Sequence, residues 1–141
     1  MKIGWIEWVA LPELGVEMIK AKIDTGARTS ALHTFKIETF VKDNKEWVRF
    51  WAHPNEKDFV NEIVCECPIK DQRKVTNSGG VTELRYVIET MVQIYNKSWP
   101  IEITLTNRDE MKFRMLLGRQ AMQHLEVHPS RQYIQKRPKK L

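Results

Sequence analysis

Apolar and polar residues alternate along most of this chain in short runs, and that period of two is its main local signal. Successive side chains of a strand point to opposite faces, so the alternation predicts half-buried strands rather than amphipathic helices. "KIGWIEWVAL" and "EMIKAKI" read as two strands flanking Pro12 to Gly15, a cluster suited to a turn. "HTFKIETFV" and "EWVRFWA" flank the polar connector "KDNK". "RKVTN" and "VTELRYVIETMVQI" flank Ser78-Gly79-Gly80, where glycine supplies the positive φ that a tight hairpin demands. "PIEITLTN" and "KFRMLLG" are joined by "RDEM". From Gly118 the period changes. "GRQAMQHL" places Ala121, Met122 and Leu125 on one side and predicts one short helix closed before Pro129, after which "SRQYIQ" returns as a last strand.

The outcome is an all-β chain with one short C-terminal helix. At 141 residues, without a repeat, a low-complexity linker or a break in composition, it predicts a single domain over residues 1–134. The remaining residues, 135–141, are "QKRPKKL", a basic tail expected to be solvated. With 23 Lys and Arg against 18 Asp and Glu the formal charge is +5, which suits an acidic partner but does not choose among nucleic acid, membrane surface and protein. Glu7 interrupts and Pro12 closes the apolar start, and no run approaches the roughly 20 apolar residues of a spanning helix. A soluble, cytoplasmic protein is therefore expected, with no membrane contact. Cys65 and Cys67 lie two apart in "EIVCECPI", which places both on one strand face as buried thiols rather than as a disulfide.

Chemistry concentrates in "AKIDTGARTSALH", Ala21 to His33. A strand runs into Asp24, Thr25 offers a hydroxyl to anchor the following loop, and Gly26 allows a sharp turn and a close backbone approach. This order presents a carboxylate at a strand end. Alone it is also ordinary hairpin chemistry. Downstream, "RMLLGRQAM" puts three apolar residues before Gly118-Arg119, and the Gly79-Gly80 hairpin lies between the two motifs.

Taken in that order, "DTGA", a double-glycine hairpin and "LLGR" resemble the retropepsins, the retroviral-type aspartic proteases, over nearly the whole chain. More closely, "IDTGARTSALH" with "RMLLGRQAM" resembles the bacterial retropepsin-like family labelled "ATP-dependent zinc protease", which is associated with an ATP-grasp ligase that adds glutamates to a ribosomal protein. The resemblance implies a small closed barrel of the retropepsin type. It implies that Asp24 pairs with its symmetry mate, two carboxylates sharing a proton to activate a water. No second Asp-Thr-Gly or Asp-Ser-Gly occurs: Asp43, Asp58, Asp71 and Asp109 are followed by Asn, Phe, Gln and Glu. A catalytic Asp24 therefore requires a homodimer with the site on its twofold axis. Gly79 and Gly80 become the tip of a flap that closes over substrate. No Gly-x-x-x-x-Gly-Lys-Ser/Thr loop and no His-Glu-x-x-His helix stand behind the words ATP and zinc, so neither cofactor is expected.

The chain departs from the viral pattern after the loop. Ala27 is followed by Arg28-Thr29-Ser30, whereas the viral enzymes carry there the acid that holds the Arg of the Gly-Arg motif. Arg119 is thus expected to need another partner. Arg28 has two uses: a substitute structural ion pair, or a planar fork facing the carboxylates of a glutamate-rich peptide. An alternative function of another class keeps the fold without catalysis and holds acidic tails through Arg28. His124 and His128 are spaced for one helical face, yet Pro129 and "EVHP" end that helix too early for a metal site. Trp5, Trp8, Trp47, Trp51 and Trp99 fall in or beside alternating runs, where core or dimer contacts are expected rather than nucleic-acid stacking.

Overall fold

The computed structural model describes residues 1–54, 62–76, 79–107 and 113–140. Its strands are β1 (Lys2–Ile3), β2 (Ile6–Leu11), β3 (Val16–Asp24), β4 (Ser30–His33), β5 (Lys36–Lys42), β6 (Lys45–Ala52), β7 (Ile63–Pro68), β8 (Asp71–Thr76), β9 (Thr82–Ile94), β10 (Lys97–Thr106), β11 (Met115–Gly118) and β12 (Glu126–Val127). The largest sheet runs β10-β4-β11-β3-β2-β9-β8 and closes on itself through the β9–β10 ladder. That closure makes the barrel, and it leaves β8 as an outer strand that, among the described residues, pairs only with β9.

A second sheet, β5-β6-β7, covers the ring. Its inward positions Val48, Phe50, Cys65 and Cys67 join Val9, Ile19, Leu32, Ile88, Ile103 and Leu117 in one core cluster. Each such fully buried side chain contributes about 1.5–3 kcal/mol relative to exposure. Cys65 and Cys67 share the buried face of β7, as their spacing predicts, and burial pushes both thiols up to about 12. The "KDNK" connector turns with Asp43 and Asn44 at φ 52° and 61°, the mirror-image turn whose twist matches a hairpin.

The C-terminal third differs from the sequence expectation. The short helix expected from Gly118 is a single 3-10 helical turn, Arg119–Met122, directly after β11. Arg119 N and Gln120 N donate to Ala27 O and Arg28 O at 2.8 and 3.1 Å, so the start of the segment is pinned to the loop after β3. The apolar spacing still works: Ala121 and Met122 are buried and Leu125 packs on the core. "SRQYIQ" forms no ladder either. Tyr133 N donates to Ile6 O, and the N–H groups of Ile134 and Gln135 go to the Glu7 carboxylate at 2.9 and 3.2 Å. Gly4 N adds a third donor at 2.7 Å, which explains how a wholly buried Glu7 is tolerated. Farther along the basic tail, Lys139 N donates to Tyr95 O and Gln93 Nε2 to Lys139 O, so its backbone is tied to the barrel while Lys136, Arg137, Lys139 and Lys140 are exposed.

The first predicted strand is also interrupted. Trp5 N leaves the ladder to reach Arg131 O, which separates β1 from β2. The strand β4 follows the Asp24 loop directly and is too short, at four residues, to show a period. Ser78 and the "RDEM" connector lie outside the described residues.

Candidate active site

The two strands that flank the Asp24 loop are not each other's neighbours. β11 lies between them, parallel to β3 and antiparallel to β4, with Gly118 in register beside Asp24 and Leu116 opposite Ala31. The loop from Thr25 to Thr29 therefore arches over the end of β11. A Cβ on Gly118 would stand 2.6 Å from the Thr29 carbonyl carbon and 3.0 Å from Ala27 O, so only a hydrogen fits beneath the arch. Gly118 N then donates to Ser30 Oγ at 3.0 Å, and Thr104 Oγ1 donates to Ser30 O, tying the far end of the loop to β10.

The near end is tied to Asp24. Gly26 N donates to Asp24 Oδ1 at 2.9 Å, and Ala27 N approaches Asp24 O at 3.3 Å. The Arg119 guanidinium donates through Nη1 to Gly26 O at 3.2 Å. This supplies the partner that the sequence does not name for Arg119, a backbone carbonyl of the loop in place of an acid. The Thr25 hydroxyl, expected to anchor the loop, is exposed and makes no hydrogen bond among the described residues. Within one chain, Gly118, Arg119 and Ser30 do that work.

Above the loop stands the β8–β9 hairpin. Gly79 and Val81, at its tip, line the same cleft of about 1170 Å³ as Asp24, Gly26, Ala27 and Arg28. Gly80 beside them has φ 83° with open space around it, so its turn geometry and not packing calls for glycine. The structure thus gathers the carboxylate, the loop and the hairpin tip around one cavity.

The cleft is electrostatically uneven. Arg73 donates to both oxygens of Glu102, at 2.9 and 3.1 Å, and to Asp71 at 2.9 Å. Lys70 Nζ lies 3.0 Å from Glu102 and 2.6 Å from Glu89. Hydrogen bonds from Arg73, then from Lys70, hold the Glu102 carboxyl well below its usual range, at about 2. Arg85 is paired with Glu83. Arg28, by contrast, is exposed and has no ion-pair partner among the described residues. Arg119 is satisfied without Arg28, and Arg28 enters no ion pair among the described residues.

Sequence reasoning missed several groups here. His33 lines the cleft with its Nδ1 2.6 Å from Thr106 Oγ1, and the Arg73–Glu102 pair joins β8 to β10 across 29 residues of chain. No local pattern announces a pairing of that separation. The remaining candidates disperse: His124 packs edge-on against Trp99, and His128 sits 3.4 Å from Glu126. Trp99 Nε1 donates to Ala121 O, Trp8 stacks on Tyr133 and Trp5 meets Phe113 edge-on, so these rings serve packing. No helix among the described residues is long and apolar enough to cross a membrane.

Comparison with known proteins agrees with this geometry. A solved structure of a protein of unknown function from Legionella pneumophila superposes with a TM-score of 0.75 over 94% of this chain and 96% of that one, at 24% identity, which speaks for the fold alone. Curated relatives described as "Probable alpha-L-glutamate ligase" are 49% identical over 120 residues in Desulfotalea psychrophila and 50% in Parasynechococcus marenigrum. In each the match takes 85% of this chain and 26% of the relative. A third, from Shewanella pealeana, is 44% identical over 132 residues, 93% of this chain and 29% of the relative. The chain therefore spans about a quarter of the length of the curated relatives it matches. A family model described as "Retropepsin-like aspartic endopeptidase RimB" matches residues 2–138, and the chain belongs to that RimB-like family.

Proposed function

We propose that the chain is an aspartic-type peptidase that works as a homodimer on acidic, glutamate-rich peptides. The observation that carries this reading is the charge inventory of the cleft. Among the described residues, Asp24 accepts from the loop N–H of Gly26 and no cation claims it, whereas Glu102, the other carboxylate lining the cleft, is occupied by Arg73 and Lys70. A carboxylate saturated by two cations is a poor partner for sharing a proton, so among the described residues of the cleft the second acid is best supplied by another copy of the Asp24 loop. Across a twofold axis the two Asp24 carboxylates share one proton. The ionised one takes a proton from water as it attacks the scissile carbonyl, and the protonated one supports the developing oxyanion. The hairpin tip at Gly79-Gly80 excludes bulk water.

Arg28 supplies the substrate preference: a guanidinium at the cleft without an ion-pair partner among the described residues meets substrate carboxylates in a bidentate fork. The relatives described as glutamate ligases supply a matching chemistry, since such a ligase makes glutamate-bearing chains, and we propose a functional association with an enzyme of that kind. Hydrolysis of a hexaglutamate peptide is expected for the wild-type chain, sedimenting as a dimer. Asp24→Asn is expected to lower turnover by about a thousandfold or more while dimer and fold persist. A wild-type dimer that binds hexaglutamate without turning it over would instead mark the chain as a binder of acidic tails.

A further inference from the structure

β3 carries more than the Asp24 loop. Along it Ile19, Ala21 and Ile23 are buried in the core, so the alternate positions Met18, Lys20, Lys22 and Asp24 share the opposite face. Lys22 is exposed, stands two residues before Asp24, and has no ion-pair partner among the described residues. One repeat farther out, Lys20 lies over the Trp8 ring at 5.4 Å, opposite Trp8 in the β2–β3 ladder. The C-terminal segment adds to the same spot: Tyr133 stacks on Trp8 at 5.7 Å and the Arg137 guanidinium lies over the ring at 5.6 Å.

The result is a basic track, Arg137 and Lys20 then Lys22, that leads along one strand face to Asp24. Its spacing has a counterpart. Two residues of strand advance about 7 Å, and so do two residues of an extended peptide, so carboxylates at alternate positions of an extended acidic chain repeat with the same period as Lys20 and Lys22. An apolar or cationic peptide gains nothing from this arrangement.

We infer that Lys22, continued by the Lys20–Trp8–Arg137 platform, is a specificity site for an extended acidic peptide, holding the carboxylates of the stretch that leaves the cleft along β3. This rests on the peptidase reading above and adds the residues that set substrate charge. Lys22 is a specificity residue and takes no part in bond cleavage.

The test is binding of fluorescent hexaglutamate, with hexaglutamine as neutral control, to the Asp24→Asn chain and to the same chain carrying Lys22→Gln. Lys22→Gln is expected to weaken hexaglutamate binding threefold to tenfold, with hexaglutamine unaffected and Lys97→Gln, an exposed lysine of β10, without effect. In the active chain Lys22→Gln should raise KM by a similar factor at unchanged kcat, and Lys22→Glu should raise it further. Circular dichroism shows whether each variant is folded. Unchanged affinity and KM in a folded Lys22→Gln chain, while the wild type still cleaves hexaglutamate, would overturn the Lys22 site and leave the peptidase reading standing. Absence of hexaglutamate binding and cleavage by the wild type would overturn both.

Discussion

The floor and the roof of the cleft are built on opposite principles. The floor, residues 24–30, is fixed from below by β11: Gly118 fits under the arch only because it lacks a Cβ, and the backbone amides of residues 118–120 all bond to loop groups. The roof, the β8–β9 hairpin, projects from the ring, pairs on one side only, and leaves Val81 and Leu84 58% and 61% exposed. Beyond β9 itself, which continues into the ring, it is tied to β10 by the ion cluster of Arg73 and Lys70 on Glu102. On the proposed peptidase reading, a carboxylate paired with a symmetry mate calls for the first kind of support, and a cover that opens calls for the second.

Substitutions can break this contrast, and the largest effect belongs to the floor. Gly118→Ala pushes a methyl group into backbone that cannot move without opening the loop, and is expected to cost about 3 kcal/mol in urea unfolding together with any hydrolytic activity. Glu7→Gln comes next. An amide replaces one acceptor oxygen facing three N–H donors in a buried place, so about 2 kcal/mol should be lost by the same measurement, with release of residues 131–135 seen as faster amide exchange.

Effects on the roof should be smaller and local. Gly80→Ala forces a side chain into φ 83° but meets no neighbour, and is expected to cost about 1 kcal/mol, read in kcat/KM more than in unfolding. The Glu102 cluster gives the smallest effect and a pH sign. Because the folded carboxyl titrates at about 2, below the ordinary value of 4.5, its contribution is complete above pH 4.5 and is lost as pH falls from there through 2. Screening limits it to about 1 kcal/mol or less. Protection factors of β8 and β9 amides should therefore drop between pH 5 and pH 2.5 in the wild type and hardly change in Glu102→Gln. Equal drops in both would place the roof's attachment elsewhere.

The same contrast explains what could be read from the chain. Strands carrying one buried and one open face, such as β6 with Val48, Phe50 and Ala52 inward, announce themselves because burial repeats every second residue. The segment after Gly118 misled for the complementary reason: Ala121, Met122 and Leu125 do face inward with helix-like spacing, but contacts with residues 27 and 28, far away in sequence, stop the helix at one turn. The end of the chain adds a contact no local pattern announces, since a buried Glu7 collects the amides of Ile134 and Gln135 while the lysines and arginines beyond stay exposed.

By itself the sequence determined that the chain is a β domain, that Asp24 ends a strand followed by a Gly-containing loop, and that one copy holds one such loop. These are local facts, set by side-chain alternation and by the steric freedom of glycine. Tertiary structure alone decided that β11 threads between β3 and β4, that Arg119 grips the carbonyl of Gly26, and that Glu102 is occupied by Arg73 and Lys70. Each of these joins groups distant in the chain, and the free energy that selects them arises only when the barrel closes and brings them into one place.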